Sequence, residues 1–265
     1  MDSANPIFRA LEQLRFSYDV RHTPEGKVYA GFKWATDGLP ELSVTAIHTE
    51  GIARFQVHDL GAVPATAVEE VRQLERVAMF ADPYSGKVQL RLSIDLVDAA
   101  LDGPELLALL FFLAECVAVV TGPSAKGGWA WARRLFGAAS PPPRTPGIPN
   151  LRPGARVPPV EECVIELPRL EKQARISFQE DVPGWLVARG EIVSPQRFRL
   201  AANQIPLVDK LQNWAPYGRF LLQPDGELRV EVASPLLDRP SGPLAERAVG
   251  SIIQLLGTAV LHANR

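Results

Sequence analysis

The residues most suited to metal chemistry are four histidines. His48 and His58 flank a predicted turn at 49–51, so paired strands could bring their imidazoles together as metal ligands. His22 and His262 lie far from them, and no H-E-x-x-H or H-x-x-E-H spacing occurs. The simpler interpretation is that these histidines are exposed side chains on strands, and we expect no metal site.

Three acids follow a predicted strand. Asp95, Asp98 and Asp102 end that strand and precede a predicted helix, where carboxylates could bind a cation. Acids beside a helix N-terminus also complement its dipole and cap its first amides. We therefore expect Asp102 to cap the helix.

A basic aromatic segment, WAWARRLF, begins at Trp129. As an amphipathic helix it could bind a protein partner or a membrane surface. The favoured alternative is that Trp131, Leu135 and Phe136 pack on the preceding block as an extension of its last helix. The candidate partner-binding residues are Trp129, Trp131, Arg133 and Arg134.

Other signatures of chemistry are absent from the sequence. There is no G-x-S-x-G, Walker or Rossmann glycine pattern, and Cys116 and Cys163 have neither zinc-site nor disulfide spacing. The 28 Lys and Arg residues balance 30 Asp and Glu residues, which argues against nucleic-acid binding. We predict no catalytic, cofactor-binding or metal-binding residues, and a protein that is not an enzyme.

Composition and hydropathy predict a folded cytoplasmic protein. The chain is 46% hydrophobic and 22% charged, and residues 1–6 lack the features of a secretory signal. The apolar run 106–120 contains Glu115 and falls short of the ~20 residues that span a bilayer. It predicts no membrane span but a buried helix that is covered on more than one side.

Proline marks the domain organisation. Eight of the 24 prolines lie between Pro141 and Pro159, where neither a helix nor a central strand is sustainable. We predict a first copy at 1–125, a Pro/Gly-rich linker at 126–160 and a second copy at 161–265.

The first block reads as helix, strands, helix, hairpin and helix. Asn5 is a candidate N-cap with Pro6 at the first helical position, and Thr66 and Glu69 form a capping box for a second helix. Alternating apolar residues predict strands at 16–20, 28–34, 42–48, 52–57 and 87–96. The apolar helix introduced by Gly103 and Pro104 closes the block.

The second block repeats this order. We predict strands at 174–179, 185–192 and 197–201, a helix from about Pro206 to Trp214, a hairpin around Pro224 to Gly226, and a last helix from Pro243.

The two blocks show an internal duplication. A shift of 140 positions aligns Phe80 with Phe220, Gly86 with Gly226 and Val120 with Val260. Upstream, a shift of about 160 aligns Phe16 with Ile176, which predicts roughly 20 extra residues in the third-strand region of the first copy.

This order, α-β-β-β-α-β-β-α in each copy, resembles the type III secretion chaperone-like fold. Within it the sequence resembles the YbjN family of bacterial sensory transduction regulators, most clearly over Gly86 to Val120 and its counterpart Gly226 to Val260. The predicted class is α+β, with two tandem copies of an antiparallel sheet and its helices.

The resemblance implies a non-catalytic protein-binding module with a chaperone-like or regulatory role. It further implies a pseudo-dimer within the chain, with a homodimer as a further option. Two other functions stay open: a ligand-sensing regulator, and an enzyme with a site between the copies that uses Asp95 or Asp98.

Overall fold

The computed structural model describes residues 5–24, 27–36, 39–58, 60, 77–81, 87–121, 162–179, 184–204, 206–215, 217–223, 225–237 and 239–263. The chain divides into two compact units. The first comprises Met1–Leu92 and Ala100–Pro149, and the second comprises Ser93–Ala99 and Asn150–Arg265. The elements are mixed helices and antiparallel strands, which confirms the predicted α+β class.

The first unit opens with helix α1, Pro6–Gln13. The Asn5 side chain accepts a hydrogen bond from the amide of Ile7 at 3.0 Å, which confirms the predicted N-cap. Helix α2, Gly103–Thr121, packs against α1. It begins at a capping box in which the Glu105 amide donates to Asp102 Oδ1 at 3.0 Å and the Asp102 amide donates to Glu105 Oε2 at 3.1 Å. The capping role predicted for Asp102 is confirmed.

Helix α2 has a fully buried face. Leu106, Leu109, Leu110 and Leu113 recur at helical spacing and are fully buried. Phe111 lies off this face, is 39% exposed and contacts the Trp34 ring edge-on at 4.9 Å.

The first sheet has the strand order β1-β2-β3-β4-β6-β5. Its strands are β1 Asp19–His22, β2 Val28–Trp34, β3 Leu42–Thr49, β4 Ile52–His58, β5 Ala78–Ala81 and β6 Val88–Asp95. Strands β3 and β4 are joined by a tight turn in which Glu50 and Gly51 both have positive φ, as a two-residue hairpin of this hand requires. Strand β1 begins at Asp19, because Phe16 and Tyr18 belong to the preceding loop, where they pack on the rings of Phe32 and Phe8.

The second sheet has the order β10-β11-β9-β8-β7. Its strands are β7 Glu162–Leu167, β8 Lys172–Gln179, β9 Trp185–Ser194, β10 Arg219–Leu222 and β11 Leu228–Pro235. Helix α3, Leu207–Trp214, precedes β10, and helix α4, Ser241–Ala263, follows β11 and packs on β9 and β11.

Two sequence predictions for the second unit are wrong. Residues 197–201 do not form a strand: Arg199 makes only an isolated bridge to Glu227, because this segment hydrogen-bonds to the turn before β11. The missing strand is β7, which the sequence interpretation overlooked beside the predicted linker.

With β1 set aside, both sheets have the same strand order: β2-β3-β4-β6-β5 matches β7-β8-β9-β11-β10. Strands β6 and β11 have bounds offset by 140 residues, as the sequence alignment predicted. The upstream alignment is wrong, because β8 occupies the place of β3 in this order, an offset of 130 residues. Among the described strands, the one in the first sheet without a counterpart in the second is β1.

Close packing of α4 on β9 gives a first stability prediction. A Cβ at Gly190 would collide with Cγ2 of Ile252 on α4, whereas nothing lies within 4 Å of a Cβ at Gly31 in β2. We expect Gly190→Ala to lower the free energy of unfolding by about 1–3 kcal/mol in urea denaturation, because overpacking displaces the helix. The control Gly31→Ala should not lower it, and equal stability of the two variants would contradict this packing.

Candidate functional site

The first unit has an open groove on the polar face of its sheet. The groove has a volume of about 570 Å³ and crosses β1, β2 and β3. Gly31 lies in its floor, directly opposite Asp19 on β1 and Thr45 on β3. Because Gly31 has no side chain, the backbone of the central strand is accessible between Tyr29 and Lys33.

Hydrogen-bond donors and cations surround this floor. Arg21 on β1 lies 3.6 Å from Asp19, and Lys33 donates to Glu41 at 3.0 Å; both are exposed pairs. On the far side His58 Nε2 and Thr45 Oγ1 are 2.9 Å apart. The lining is therefore rich in groups that interact with anions.

Aromatic rings form another part of the lining. Tyr18, Tyr29 and Phe32 all border the groove. The Tyr18 hydroxyl donates to Glu12 at 3.3 Å, and its ring stacks on Phe8. Burial, followed by the charge of Glu12, raises the pKa of this phenol, so it remains a donor at neutral pH.

On the same face of the sheet, the surface of β5 and β6 is covered by side chains. The Arg91 guanidinium stacks 5.0 Å from the centre of the Phe80 ring, and its burial lowers its pKa to about 9. The side chains of Gln56 and Gln89 hydrogen-bond to each other beside it. Open surface on this sheet is therefore found at β1–β3.

The equivalent face of the second unit is filled by ion pairs. Glu231 on β11 lies directly opposite Arg219 on β10 and Arg189 on β9, and each arginine donates to it at 2.8 Å. The Glu231 carboxylate is fully buried and the Arg219 side chain is 4% exposed. Although burial opposes ionisation, the two arginines outweigh it and lower the pKa of Glu231 to about 2.

A second network crosses this face. Arg175 pairs with Glu162 at 3.0 Å and with Glu191 at 3.7 Å, and Arg229 joins Glu191 at 2.9 Å to Glu227 at 3.2 Å. Burial and the neighbouring Glu227 raise the pKa of Glu191. The charges of this network are therefore matched by one another.

Asp95, the acid considered for catalysis, is also neutralised by arginines. It belongs to the second unit, where Arg239 donates to Oδ1 at 2.8 Å and Arg247 donates to Oδ2 at 2.8 Å. The fully buried Tyr217 lies close by. Its hydroxyl has no hydrogen-bond partner among the described residues, and burial and the charge of Asp95 raise its pKa well above the usual value. Arginine donors occupy both oxygens of this carboxylate, so it is not free to bind a cation.

The two histidines considered as a metal pair are apart. In the β3–β4 hairpin His58 lies opposite Ser43, whereas His48 lies opposite Ala53, near the other end. Their positions relative to the buried residues also put them on opposite faces of the sheet. Burial lowers the pKa of His48, so its imidazole is neutral.

The structure does not describe several of the remaining candidates. Trp129, Trp131, Arg133 and Arg134 lie outside the described residues, as do the predicted linker at 126–160 and the helix predicted from Thr66. Within the part of the chain that the structure describes, no three His, Cys, Asp or Glu residues are grouped as metal ligands. Cys116 is buried and Cys163 half-buried, and neither forms a disulfide.

Among the helices of the described residues, α4 is the one that is long and apolar enough to cross a membrane by length and composition. Only 39% of the most apolar 18-residue stretch of this helix is buried. Its buried residues include Leu244, Ala248, Ile252 and Leu256, which recur at helical spacing on the side that packs on β9 and β11. A helix that covers a sheet has the same composition, so this is weak evidence for a span.

The sequence interpretation missed the groove. Its residues come from several strands and become neighbours only through the register of β1, β2 and β3. The one signal present in the sequence is Gly31, a glycine within the alternating strand pattern of β2, which is typical of close approach to the backbone.

Comparison with known proteins adds no identification. No protein-family model matches this sequence, and no curated protein matches it. The resemblance to the YbjN family therefore rests on the order of elements.

Proposed function

We propose that this chain is a non-catalytic protein-binding module, built from two tandem chaperone-like units, that captures an extended protein segment by strand addition. The observation that carries the proposal is the exposure of β7 at one edge of the second sheet. The shared strand order of the two sheets supports the tandem organisation.

The edges of each sheet differ in exposure. One edge of each sheet is formed by the strand that comes first in its sequence, β1 or β7. All four side chains of β1 are exposed, and in β7 exposed side chains alternate with less exposed ones. At the other end, Phe80 on β5 and Phe220 on β10 are almost fully buried. A protein segment can therefore approach β1 or β7 more readily than β5 or β10.

Strand β7 exposes apolar side chains on both of its faces. Val164 is 56% exposed, and Cys163 and Ile165 on the opposite face are half-buried. Natural edge strands are usually protected from pairing by charges, prolines or bulges. Of the two charges on β7, that of Glu162 is paired with Arg175, and Glu166 accepts a hydrogen bond from Gln173, so both carboxylates are held against β8.

Strand addition combines two sources of affinity. The outer edge of β7 supplies backbone amides and carbonyls to an extended segment, which confers affinity for many sequences. Val164 on one face and Ile165 on the other then favour apolar or β-branched residues at adjacent positions of that segment. No bond is made or broken, so the role is one of capture.

We expect Val164→Lys to weaken binding about tenfold or more, because the new ammonium must lose water at the edge and the apolar contact disappears. The ligand for this measurement is an unstructured peptide selected against the whole chain from a random display library. Affinities are compared by titration calorimetry.

The matched control is Leu261→Lys, since Leu261 on α4 is also 56% exposed. It should bind the selected peptide as the unchanged chain does. Equal weakening by both substitutions, or none by Val164→Lys, would refute capture at β7.

A further inference from the structure

We propose that the groove over Gly31 is a binding site for a small organic anion that joins a flat ring to a phosphate or carboxylate group. The site lies in the first unit and is separate from the β7 edge, so it goes beyond protein capture. It would make the chain responsive to a metabolite.

The size and floor of the groove fit a small molecule. A volume of about 570 Å³ falls within the 300–1,000 Å³ that is usual for ligand sites. Among the described residues other than the two chain neighbours of Gly31, no atom lies within 4 Å of where a Cβ on Gly31 would stand. A flat ring can therefore lie against the backbone of β2, with Tyr29 beside it as an aromatic neighbour.

The positively charged side chains of the groove favour an anionic ligand. Arg21 and Lys33 line the groove, and their partners Asp19 and Glu41 form exposed pairs with them. Such exposed pairs contribute little, roughly 0–1 kcal/mol, so a ligand anion can replace them. Among the described residues that line the groove, the two cations Arg21 and Lys33 outnumber the one carboxylate, Asp19.

Polar groups at the far side complete the recognition. His58 and Thr45 are held together at 2.9 Å, and Ser43 lies on the same face of β3. Hydroxyls and an imidazole can donate to the anionic group or to polar atoms of the ring. The opposite arrangement holds in the second unit, where Glu231 occupies its arginines fully.

The experiment measures binding of four probes to the whole chain by titration calorimetry. AMP carries both the ring and the phosphate, adenosine has only the ring and a sugar, and ribose 5-phosphate has only the anion and a sugar. The fourth probe, 4-hydroxyphenylacetate, carries a ring and a carboxylate. We expect AMP or 4-hydroxyphenylacetate to bind about tenfold or more tightly than either half-probe, and the tighter of the two identifies the anionic group.

Two variants locate the binding. Gly31→Leu fills the floor and Arg21→Gln removes a cation, and each should weaken the better probe about tenfold. The control is Arg199→Gln in the second unit, because Arg199 is also exposed and pairs with Asp225 at 3.0 Å. It should bind as the unchanged chain does.

Thermal unfolding of each variant shows whether it is folded. If Gly31→Leu proves unstable, Arg21→Gln alone decides. The proposal is overturned if none of the four probes binds saturably, if the half-probes bind as well as the joined ones, or if folded Arg21→Gln binds unchanged.

Discussion

Glu231→Gln is expected to lower the free energy of unfolding by about 3–5 kcal/mol, the usual cost of removing one partner from a buried ion pair. Its carboxylate pairs with the buried Arg219 and with Arg189, each at 2.8 Å. Arg189 is 28% exposed and can recover some hydration, whereas Arg219 is 4% exposed and cannot. The measurement is urea denaturation at neutral pH.

The control for this prediction is Glu162→Gln. Glu162 pairs with Arg175, and both side chains are more than 40% exposed. Its loss should cost no more than about 1 kcal/mol. A similar cost for both substitutions would contradict the account of Glu231 as a buried countercharge.

The same carboxylate predicts a pH dependence. The pKa of Glu231 falls from an ordinary 4.5 to about 2 on folding, so the folded state favours its ionised form. Its contribution to stability is fully present above about pH 4.5 and is lost as the pH falls towards 2. The difference in stability between the unchanged chain and Glu231→Gln should therefore shrink over that range, and a constant difference would contradict it.

Asp95→Asn is the second substitution with a large expected effect, again about 3–5 kcal/mol of unfolding free energy. Arg239, which is 6% exposed, would keep its bonds to the carbonyls of Asp95, Val97, Pro235 and Leu236 but lose its countercharge. Urea denaturation again gives the measurement.

Arg247→Gln serves as the control for Asp95. Its side chain is 32% exposed, so its removal should cost about 1 kcal/mol. A loss of less than about 1 kcal/mol for Asp95→Asn would contradict the structural role of this acid. The prediction also bears on the enzymatic alternative, since activity lost on mutating Asp95 would reflect loss of the fold.

Local signals in the sequence were sufficient for much of the fold. The N-cap at Asn5 and the capping box of Asp102 and Glu105 depend on neighbours within three residues, and both are present. The alternation in 87–96 correctly predicted β6, with Leu90, Leu92 and Ile94 fully buried. Its polar face was less predictable, because Arg91 and Asp95 on that face are also buried.

Features that depend on distant residues were not predictable from one sequence. Asp95 and Arg239 are 144 positions apart, and nothing in either segment indicates the other. The groove depends on cross-strand register, which a strand pattern does not specify. Strand β7 did carry an alternating pattern, but its position beside the proline-rich segment led to its being overlooked.

The most direct test of capture at β7 is amide hydrogen exchange across the whole chain, with and without a peptide selected from a random display library. Strand addition predicts that the peptide slows exchange of amides within Glu162–Leu167 and that Val164→Lys abolishes this protection. Protection confined to other segments, or an unchanged exchange rate in β7 when the peptide is saturating, would contradict the proposed function.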